Sequence, residues 1–181
     1  MPEPIIFQRP KYIDNRGFFE ESWNYKFLNN KNIKDKFVQQ NYSYSKKTAT
    51  IRGLHLQIKP YAQSKLIKCI KGKILDIVVD VRKGSRNFGK YKKYILSDFN
   101  RRLLYIPIGF LHGFITLKDN TEVIYMCSNY YSKKHEISIN IFDRNLSIKL
   151  PSKNSKYIIS QKDKKAINFN EFDSPFNYNN K

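Results

Sequence analysis

Short apolar runs rich in Ile, Val, Leu, Tyr and Phe recur along most of the chain. They cover residues 66–70, 74–81, 91–96, 103–106, 113–117, 122–128 and 137–142. Short connections that contain Gly, Asn, Asp or Pro separate them at fairly regular spacing, as in proteins built from antiparallel strands. The pattern therefore predicts an all-β antiparallel sandwich or jelly-roll barrel rather than alternating βα units.

The first two runs, 66–70 and 74–81, are separated only by Lys71-Gly72-Lys73. Two apolar runs around a short connection that contains Gly are typical of a β-hairpin. We therefore expect these two strands to pair with each other.

Helical patterns are rare in this sequence. Only residues 23–30 and 161–166 carry one, which predicts short helices flanking the sheets. The chain after residue 173 is polar and Asn-rich. We expect one domain at 1–173 and a tail at 174–181 that is loose or lies on the surface.

The composition is that of a folded protein and excludes several other classes. The chain has 181 residues, of which 40% are hydrophobic and 15% aromatic, too many for a disordered protein. No apolar run approaches the roughly 20 residues needed to span a bilayer, and residues 1–4 lack the start of a secretory signal. Cys69 and Cys127 lie in apolar runs, which indicates buried thiols rather than a disulfide scaffold. We expect a cytoplasmic protein.

The formal net charge of +19 points to an anionic partner. Most of the positive charge is Lys, spread along the whole chain in short groups. The sequence contains no basic helix face and no recognisable nucleic-acid-binding module. Because the same charge would attract a small anion such as a nucleotide diphosphate, we expect no nucleic acid and no membrane partner.

Two of the three histidines lie in surroundings that favour chemistry. His55 follows Arg52 by three positions among apolar residues, and His112 lies between Gly109 and Gly113 on an apolar stretch. A buried imidazole needs a partner for each ring nitrogen, and carboxylates from elsewhere in the fold can supply it. The candidate carboxylates are Asp76, Asp80 and Asp163.

The local spacing around His55 does not match a metal site. Metal-binding jelly rolls commonly use a His-x-His pair followed by Glu, whereas position 57 is Gln and no Glu occurs between His55 and Leu117. The sequence also lacks a nucleophile elbow and a Gly-rich phosphate loop. We therefore predict no metal and no cofactor.

Ten or so segments between about Phe7 and Ala166 carry a distinctive series of motifs. The first segments are Asp14-Asn15-Arg16-Gly17-Phe18-Phe19-Glu20-Glu21, Phe37-Val38-Gln39-Gln40-Asn41, Arg52-Gly53-Leu54-His55-Leu56-Gln57 and Gln63-Ser64-Lys65-Leu66. The later ones are Asp80-Val81-Arg82-Lys83-Gly84-Ser85, Phe88-Gly89, residues 107–114, Tyr125, Tyr130-Tyr131, Glu136 and Ser160-Gln161-Lys162-Asp163. In this order they resemble the dTDP-4-dehydrorhamnose 3,5-epimerase family, whose members are cofactor-free epimerases with a cupin jelly-roll fold.

The resemblance implies a catalytic set of four residues. His55 would be the base, oriented by Asp163, and Tyr125 the acid on the opposite face of the sugar. Lys65 would stabilise the enolate oxygen. Inversion next to a ketone needs these groups and neither a metal nor a nicotinamide. A helix cap is the structural alternative for Asp163.

The resemblance also implies a substrate-binding set: Arg16, Phe19, Glu21, Gln39, Asn41, Arg52, His112 and Tyr131. Arg16 and Arg52 would bind the diphosphate, Phe19 would contact the base, and His112 would lie at or beside the sugar.

Several assignments have structural alternatives. Phe19 and Tyr131 could belong to the core, and Lys65 could point outward, depending on the pleat of its strand. Tyr130 competes with Tyr125 as the acid. The chain also has Leu150 where family members often have Trp, so the accepted nucleotide sugar stays open.

By this resemblance the protein inverts C3 and C5 of a nucleotide-linked 4-keto-6-deoxyhexose, dTDP-4-dehydro-6-deoxy-D-glucose, to give dTDP-4-dehydro-L-rhamnose. It would act as a homodimer in dTDP-rhamnose biosynthesis for cell-surface polysaccharide. One alternative is a single-carbon epimerase or ketoisomerase on a related nucleotide sugar. The other is a non-catalytic cupin that binds polyanions through its positive charge.

Overall fold

The computed structural model describes residues 2–151 and 156–178. Within these residues almost all regular structure is β-strand. In chain order the strands are β1 (Ile5–Phe7), β2 (Tyr12–Asp14), β3 (Gly17–Phe19), β4 (Gln39–Ser45), β5 (Ile51–Gln57), β6 (Lys65–Lys71), β7 (Lys73–Asp80), β8 (Tyr91–Ser97), β9 (Leu103–Ile106), β10 (Phe110–Thr116), β11 (Thr121–Cys127) and β12 (Glu136–Ser138). Helix α1 (Tyr25–Asn29) and helix α2 (Gln161–Lys164) lie near the two ends.

Ten of these strands form two five-stranded antiparallel sheets. The first sheet has the order β1-β9-β6-β11-β4, and the second has the order β12-β5-β10-β7-β8. Side chains from both sheets form one apolar cluster, with Ile67 and Val123 from the first sheet and Val78 and Phe114 from the second. The sheets therefore pack face to face, and the all-β jelly-roll prediction is confirmed.

The outer face of each sheet is covered by an end of the chain. Helix α1 is capped by Asn24, whose Oδ1 accepts a hydrogen bond of 2.7 Å from Phe27 N, and the helix buries Leu28 against the first sheet. On the second sheet, the C-terminal segment packs Phe172 and Phe176 against the outward residues of the central strands. The apolar cluster between the two sheets is thus distinct from the clusters that helix α1 and the C-terminal segment form on their outer faces.

The predicted strands are present, but the predicted hairpin is wrong. β6 pairs with β9 and β11 in the first sheet, whereas β7 pairs with β8 and β10 in the second. The chain crosses between sheets at Gly72, whose φ is +80° and where a Cβ would lie 2.5 Å from Thr121 Oγ1. A short turn that contains Gly also suits such a corner, so the local signal does not identify the strand partner.

The helices are confirmed as two short elements, and residues 174–178 lie against the outside of the second sheet. Ser174 and Phe176 are buried, and Asn177 forms a bridge with Lys83. Residues 174–178 are therefore attached to the second sheet, because an aromatic side chain there fills part of the outer core. Residues 179–181 lie outside the described residues, and the division at residue 173 stays a prediction.

Arg82 joins both ends of the described chain to the second sheet. Its guanidinium is 1% exposed and contacts the Asp80 carboxylate at 2.7 Å, so Asp80 partners this arginine rather than a histidine. It also donates to Pro2 O at 3.0 Å and to Glu3 Oε1 at 2.5 Å. The Tyr178 ring centroid lies 4.8 Å away. One buried cation thus holds three separate parts of the chain.

No helix in residues 2–151 and 156–178 has the length and apolar character needed to cross a membrane. Cys69 and Cys127 are buried free thiols, as predicted. Burial raises the pKa of the Cys69 thiol to about 12.

Candidate active site

A bulge in β5 turns Arg52 and His55 toward the same face of the second sheet. His55 lies opposite His112 in the register and Arg52 lies opposite Phe114, so the two residues of β5 between them, 53 and 54, face the single residue Gly113 of β10. Without the extra residue, positions three apart on a strand would point to opposite faces. The bulge depends on close backbone packing, because a Cβ on Gly53 would lie 2.6 Å from Gly113 Cα.

His55 lies between two carboxylates. Its Nε2 is 2.6 Å from Asp163 Oδ1, and its Nδ1 is 3.8 Å from Glu136 Oε1. Helix α2 positions Asp163, since Ser160 caps that helix by accepting a hydrogen bond from the Asp163 amide. The pKa of Asp163 is lowered: burial alone would raise it, and the hydrogen bond from His55 is the first of the interactions that outweigh burial. A carboxylate on one ring nitrogen fixes the tautomer and leaves the other nitrogen for proton transfer.

His112 forms a second pair with a carboxylate beside His55. Its Nε2 lies 2.8 Å from Asp76 Oδ2, and both side chains are buried. Burial lowers the pKa of His112 and raises that of Asp76. Two imidazoles on neighbouring strands thus face the interior, each with its own carboxylate.

Lys65 and Tyr125 lie on the facing wall, in the first sheet. Lys65 is opposite Cys127 in the register, and Tyr125 is opposite Ile67 of the inner cluster, so both side chains point inward. Burial lowers the pKa of Lys65, an effect that Cys127, Glu136 and Asp76 oppose.

Glu136 connects the two walls electrostatically. Burial is the main cause of the raised pKa of Tyr125, and Glu136 adds to it. The same carboxylate opposes the lowering of the Lys65 pKa by burial. The pKa of Glu136 itself is lowered against the effect of burial by the hydrogen bonds from Lys162 and Tyr131 and, after them, by His55. His55, Lys65 and Tyr125 are therefore all within electrostatic reach of one carboxylate.

Polar groups along β4 form the rim of this region. Gln39 donates to Asn41 Oδ1 at 2.9 Å and accepts from Tyr131 N at 2.8 Å, and Asn41 contacts Cys127 Sγ at 3.7 Å. Arg52 donates to the Tyr44 carbonyl at 2.9 Å and keeps an exposed position. The rim thus offers amide groups and one guanidinium to a polar ligand.

A cavity of about 370 Å³ borders the His55 side of the site, lined in part by Arg52, Lys162 and Asp163. Throughout residues 2–151 and 156–178, no three His, Cys, Asp or Glu side chains cluster closely enough to hold a metal ion.

The structure brings together nine of the twelve residues that the sequence singles out. Those nine are His55, Lys65, Tyr125, Asp163, Gln39, Asn41, Arg52, His112 and Tyr131. Arg16, Phe19 and Glu21 lie elsewhere, on or next to the β2–β3 hairpin. Arg16 is 85% exposed and pairs with Asp14, Phe19 is 70% exposed, and Glu21 pairs with Arg9.

Two residues of the site, Glu136 and Lys162, were not among the functional candidates predicted from the sequence. Glu136 accepts from the Tyr131 hydroxyl at 2.8 Å and pairs with Lys162 at 2.6 Å. Glu136 belongs to a segment shared with the family, and Lys162 directly precedes Asp163. Their position in those segments was the available signal, although only the fold shows that both lie beside His55.

The family model described as dTDP-4-dehydrorhamnose 3,5-epimerase matches residues 1–171. The chain belongs to this family. A curated dTDP-4-dehydrorhamnose 3,5-epimerase of Shigella flexneri is 44% identical over 164 residues, which is 90% of this chain and 89% of that protein.

Solved structures of similar proteins agree with this membership. The Legionella pneumophila epimerase in complex with dTDP-4-keto-L-rhamnose is 37% identical with a TM-score of 0.93, and the match covers 99% of this chain and 96% of that one. The Bacillus anthracis enzyme with TDP and PPi bound is 42% identical with a TM-score of 0.87, over 92% and 94% of the two chains. A 3'-monoepimerase of Streptomyces bikiniensis in complex with dTDP-quinovose is more distant, at 27% identity and a TM-score of 0.84, over 91% and 83%.

Proposed function

We propose that this protein converts dTDP-4-dehydro-6-deoxy-D-glucose to dTDP-4-dehydro-L-rhamnose by inverting C3 and C5 without a cofactor. Family membership over residues 1–171 supports the reaction. The observation that carries the proposal is the pair of facing walls. His55, in contact with Asp163 of helix α2, lies in the second sheet, and Lys65 and Tyr125 lie in the first.

The reaction is a proton transfer at each carbon next to the ketone. His55 takes the proton from carbon, and the electron pair of the broken C–H bond moves to the C4 oxygen as an enolate. The Lys65 ammonium stabilises that oxygen. Tyr125 then gives its phenolic proton to the other face of the carbon, the ketone re-forms, and solvent restores the protonation of both side chains. Burial raises the pKa of Tyr125 and so keeps the phenol protonated at neutral pH.

The substrate is held, in this proposal, by the rim and by the second imidazole. Arg52 is suited to the diphosphate, because a guanidinium makes paired hydrogen bonds to phosphate oxygens. Gln39 and Asn41 offer amide groups to the nucleotide, Tyr131 lines the entrance, and His112 lies against the sugar.

We also propose that the protein is a homodimer in which the β2–β3 hairpin serves the partner's site. Arg16 and Phe19 have the chemistry to bind a diphosphate and a base, yet neither contacts the described site of its own chain. The hairpin also exposes Ile13 and Phe18, which a second subunit would bury. A partner copy would thereby complete each site.

In the cell, the reaction would take place in the cytoplasm, as one step of dTDP-rhamnose biosynthesis for cell-surface polysaccharide. The similarity to a 3'-monoepimerase favours a second candidate, inversion of one carbon only.

The test is incubation of the purified protein with the dTDP-keto sugar in deuterium oxide, followed by NMR. We expect deuterium at both C3 and C5 and a product of L-configuration. Label at a single carbon would support the monoepimerase instead. The His55→Ala variant should lose turnover by about 10³-fold while still binding dTDP, because the base is gone and the rim is intact.

The matched control is His135→Ala. This histidine hydrogen-bonds Ser132 and stacks on Tyr61 outside the facing walls. It should keep turnover within about threefold of the unmodified protein. Equal losses in both variants would remove His55 from the mechanism.

A further inference from the structure

Asp76 is a carboxylate in the middle of an otherwise apolar inner face. Its neighbours on that side of β7 are Ile74 and Val78, which belong to the cluster between the sheets. Its side chain is 0% exposed. Burying an ionisable carboxyl group is costly unless charges or hydrogen bonds compensate, so this position needs a reason beyond packing.

Within the described part of the chain, only one of the two Asp76 oxygens has a hydrogen-bond partner. Oδ2 lies 2.8 Å from His112 Nε2. Oδ1 is buried and has no hydrogen-bond partner among the described residues. Asp80, on the same strand, differs in this respect, because Arg82 and Ser85 together satisfy both of its oxygens.

Lys65, which points inward from the facing sheet, is a cation within electrostatic reach of Asp76. Burial raises the pKa of Asp76, and Lys65 opposes that rise together with His112. Asp76 in turn opposes the loss of charge that burial imposes on Lys65. The charged or titratable groups that face this cluster from other elements are Tyr94, Cys127, Glu136, His55 and Lys162.

We propose that Asp76 is a positioning residue of the active site, whose Oδ2 fixes the ring of His112 and whose Oδ1 acts as counter-charge to the Lys65 ammonium. This inference rests on the proposed function, in which Lys65 stabilises the enolate. Asp76 touches neither the substrate nor the reacting atoms. It acts through the two side chains in front of it.

The role follows from what each neighbour must do. A carboxylate acceptor at Nε2 places the His112 proton there, and Nδ1 keeps its lone pair for a sugar hydroxyl or for Lys65. A negative charge behind Lys65 keeps its amine protonated in a buried place and ready for the developing oxyanion. Without that charge, Lys65 would lose its proton at a lower pH.

The experiment is the pH profile of kcat for Asp76→Asn, which keeps the shape of the side chain and removes its charge. Burial lowers the pKa of Lys65 and raises that of Tyr125, so it moves the lysine toward the neutral range and the tyrosine away from it. We expect the alkaline limb to move to lower pH by about one unit. We also expect kcat to fall about 10²-fold at the original optimum, with KM changed less than about threefold.

Asp80→Asn is the matched control, being the same substitution in an equally buried position on the same strand. Its carboxylate serves Arg82 and lies outside the site, so it should lose stability and leave the pH profile in place. An Asp76→Asn profile identical to that of Asp80→Asn would overturn the inference. A wild-type protein without turnover on the dTDP-keto sugar would instead overturn the proposed function.

A second measurement needs neither turnover nor a folded variant. In ¹⁵N spectra of the histidine-labelled unmodified protein at neutral pH, we expect His112 to carry its proton on Nε2. A proton on Nδ1 alone would contradict the role of Asp76, whatever the substrate.

Discussion

His55 and His112 each place Nε2 against a carboxylate, yet the two pairs differ in access. His55 keeps part of its ring exposed and has a second carboxylate 3.8 Å from Nδ1, whereas His112 and Asp76 are buried. A base that must exchange its proton with solvent needs the first environment, and a group that only orients or binds suits the second. At the scale of single residues, the difference in burial therefore favours His55 over His112 as the proposed base.

Tyr125 gives the sharpest prediction at this scale. Tyr125→Phe keeps the ring and removes the acid, so proton removal by His55 should continue while delivery to the opposite face stops. We expect deuterium to enter the substrate without inversion, and epimerised product to fall by about 10²-fold or more. NMR of the sugar in deuterium oxide reports both quantities in one sample. Tyr130→Phe is the control and should keep its activity; loss of product there, with Tyr125→Phe still active, would assign the acid role to Tyr130 instead.

Much of the site was predictable residue by residue, because its polar groups lie in recognisable segments. Asp76 and Asp163 were among the three carboxylates expected to partner the histidines, and both do so. The pairing itself could not be predicted, since Asp163 is 108 positions from His55 in the chain. Glu136 was missed because its role depends on three side chains that meet only in the folded structure.

At the scale of elements, the bulge in β5 decides which side chains enter the site. Gly53 and Gly113 let two backbones approach, and Arg52 then shares a face with His55. The sequence shows the Arg–His spacing but not the bulge. A residue of β5 is extra only in comparison with the strand that pairs with it, and the sequence does not identify that partner.

Gly53→Ala should therefore be costly. A Cβ there would lie 2.6 Å from Gly113 Cα and 2.7 Å from His112 O, at a φ of +112°. We expect a loss of more than about 2 kcal/mol in the free energy of unfolding, and a loss of about tenfold or more in kcat/KM. Gly84→Ala is the control, since its φ is +81° but the nearest atom is 3.9 Å away. Equal costs at both positions in urea unfolding would show that backbone strain alone, and not the close approach, matters.

The same limit applies to the strands that carry the site. β4 is polar and alternates between half-buried and exposed residues, so it contains no apolar run from which a strand could be predicted. The strands with continuous apolar runs were predicted, but the partner of β6 was not, because a corner between sheets and a hairpin turn use the same residues. Local pattern thus identified the strands, and long-range packing assigned them to sheets.

At the scale of the whole molecule, the separation of Arg16 from His55 is what a shared site would produce. Each subunit of the proposed homodimer would supply the facing walls to itself and the hairpin to its partner. The apolar exposure of Ile13 and Phe18 fits the same arrangement. A monomer would then have the catalytic groups but bind the nucleotide poorly.

Mixed dimers test this arrangement. His55→Ala lacks the base and Arg16→Ala lacks the hairpin cation, so each variant alone should be impaired. Refolded together in equal amounts, they should regain about a quarter of the normal activity, because half the dimers carry one complete site. If the mixture has only the average activity of the two variants measured separately, Arg16 acts in the site of its own chain or in no site, and the proposed arrangement is wrong.

Arg82, which the fold uses to hold Pro2, Glu3 and Tyr178 at one point, makes the two ends of the described chain interdependent. Trimming either end would uncover the same guanidinium and loosen the opposite end with it. Fusions or proteolytic cuts at the N-terminal and C-terminal segments should therefore produce the same defect. That defect would arise on the sheet that carries His55, far along the chain from either cut.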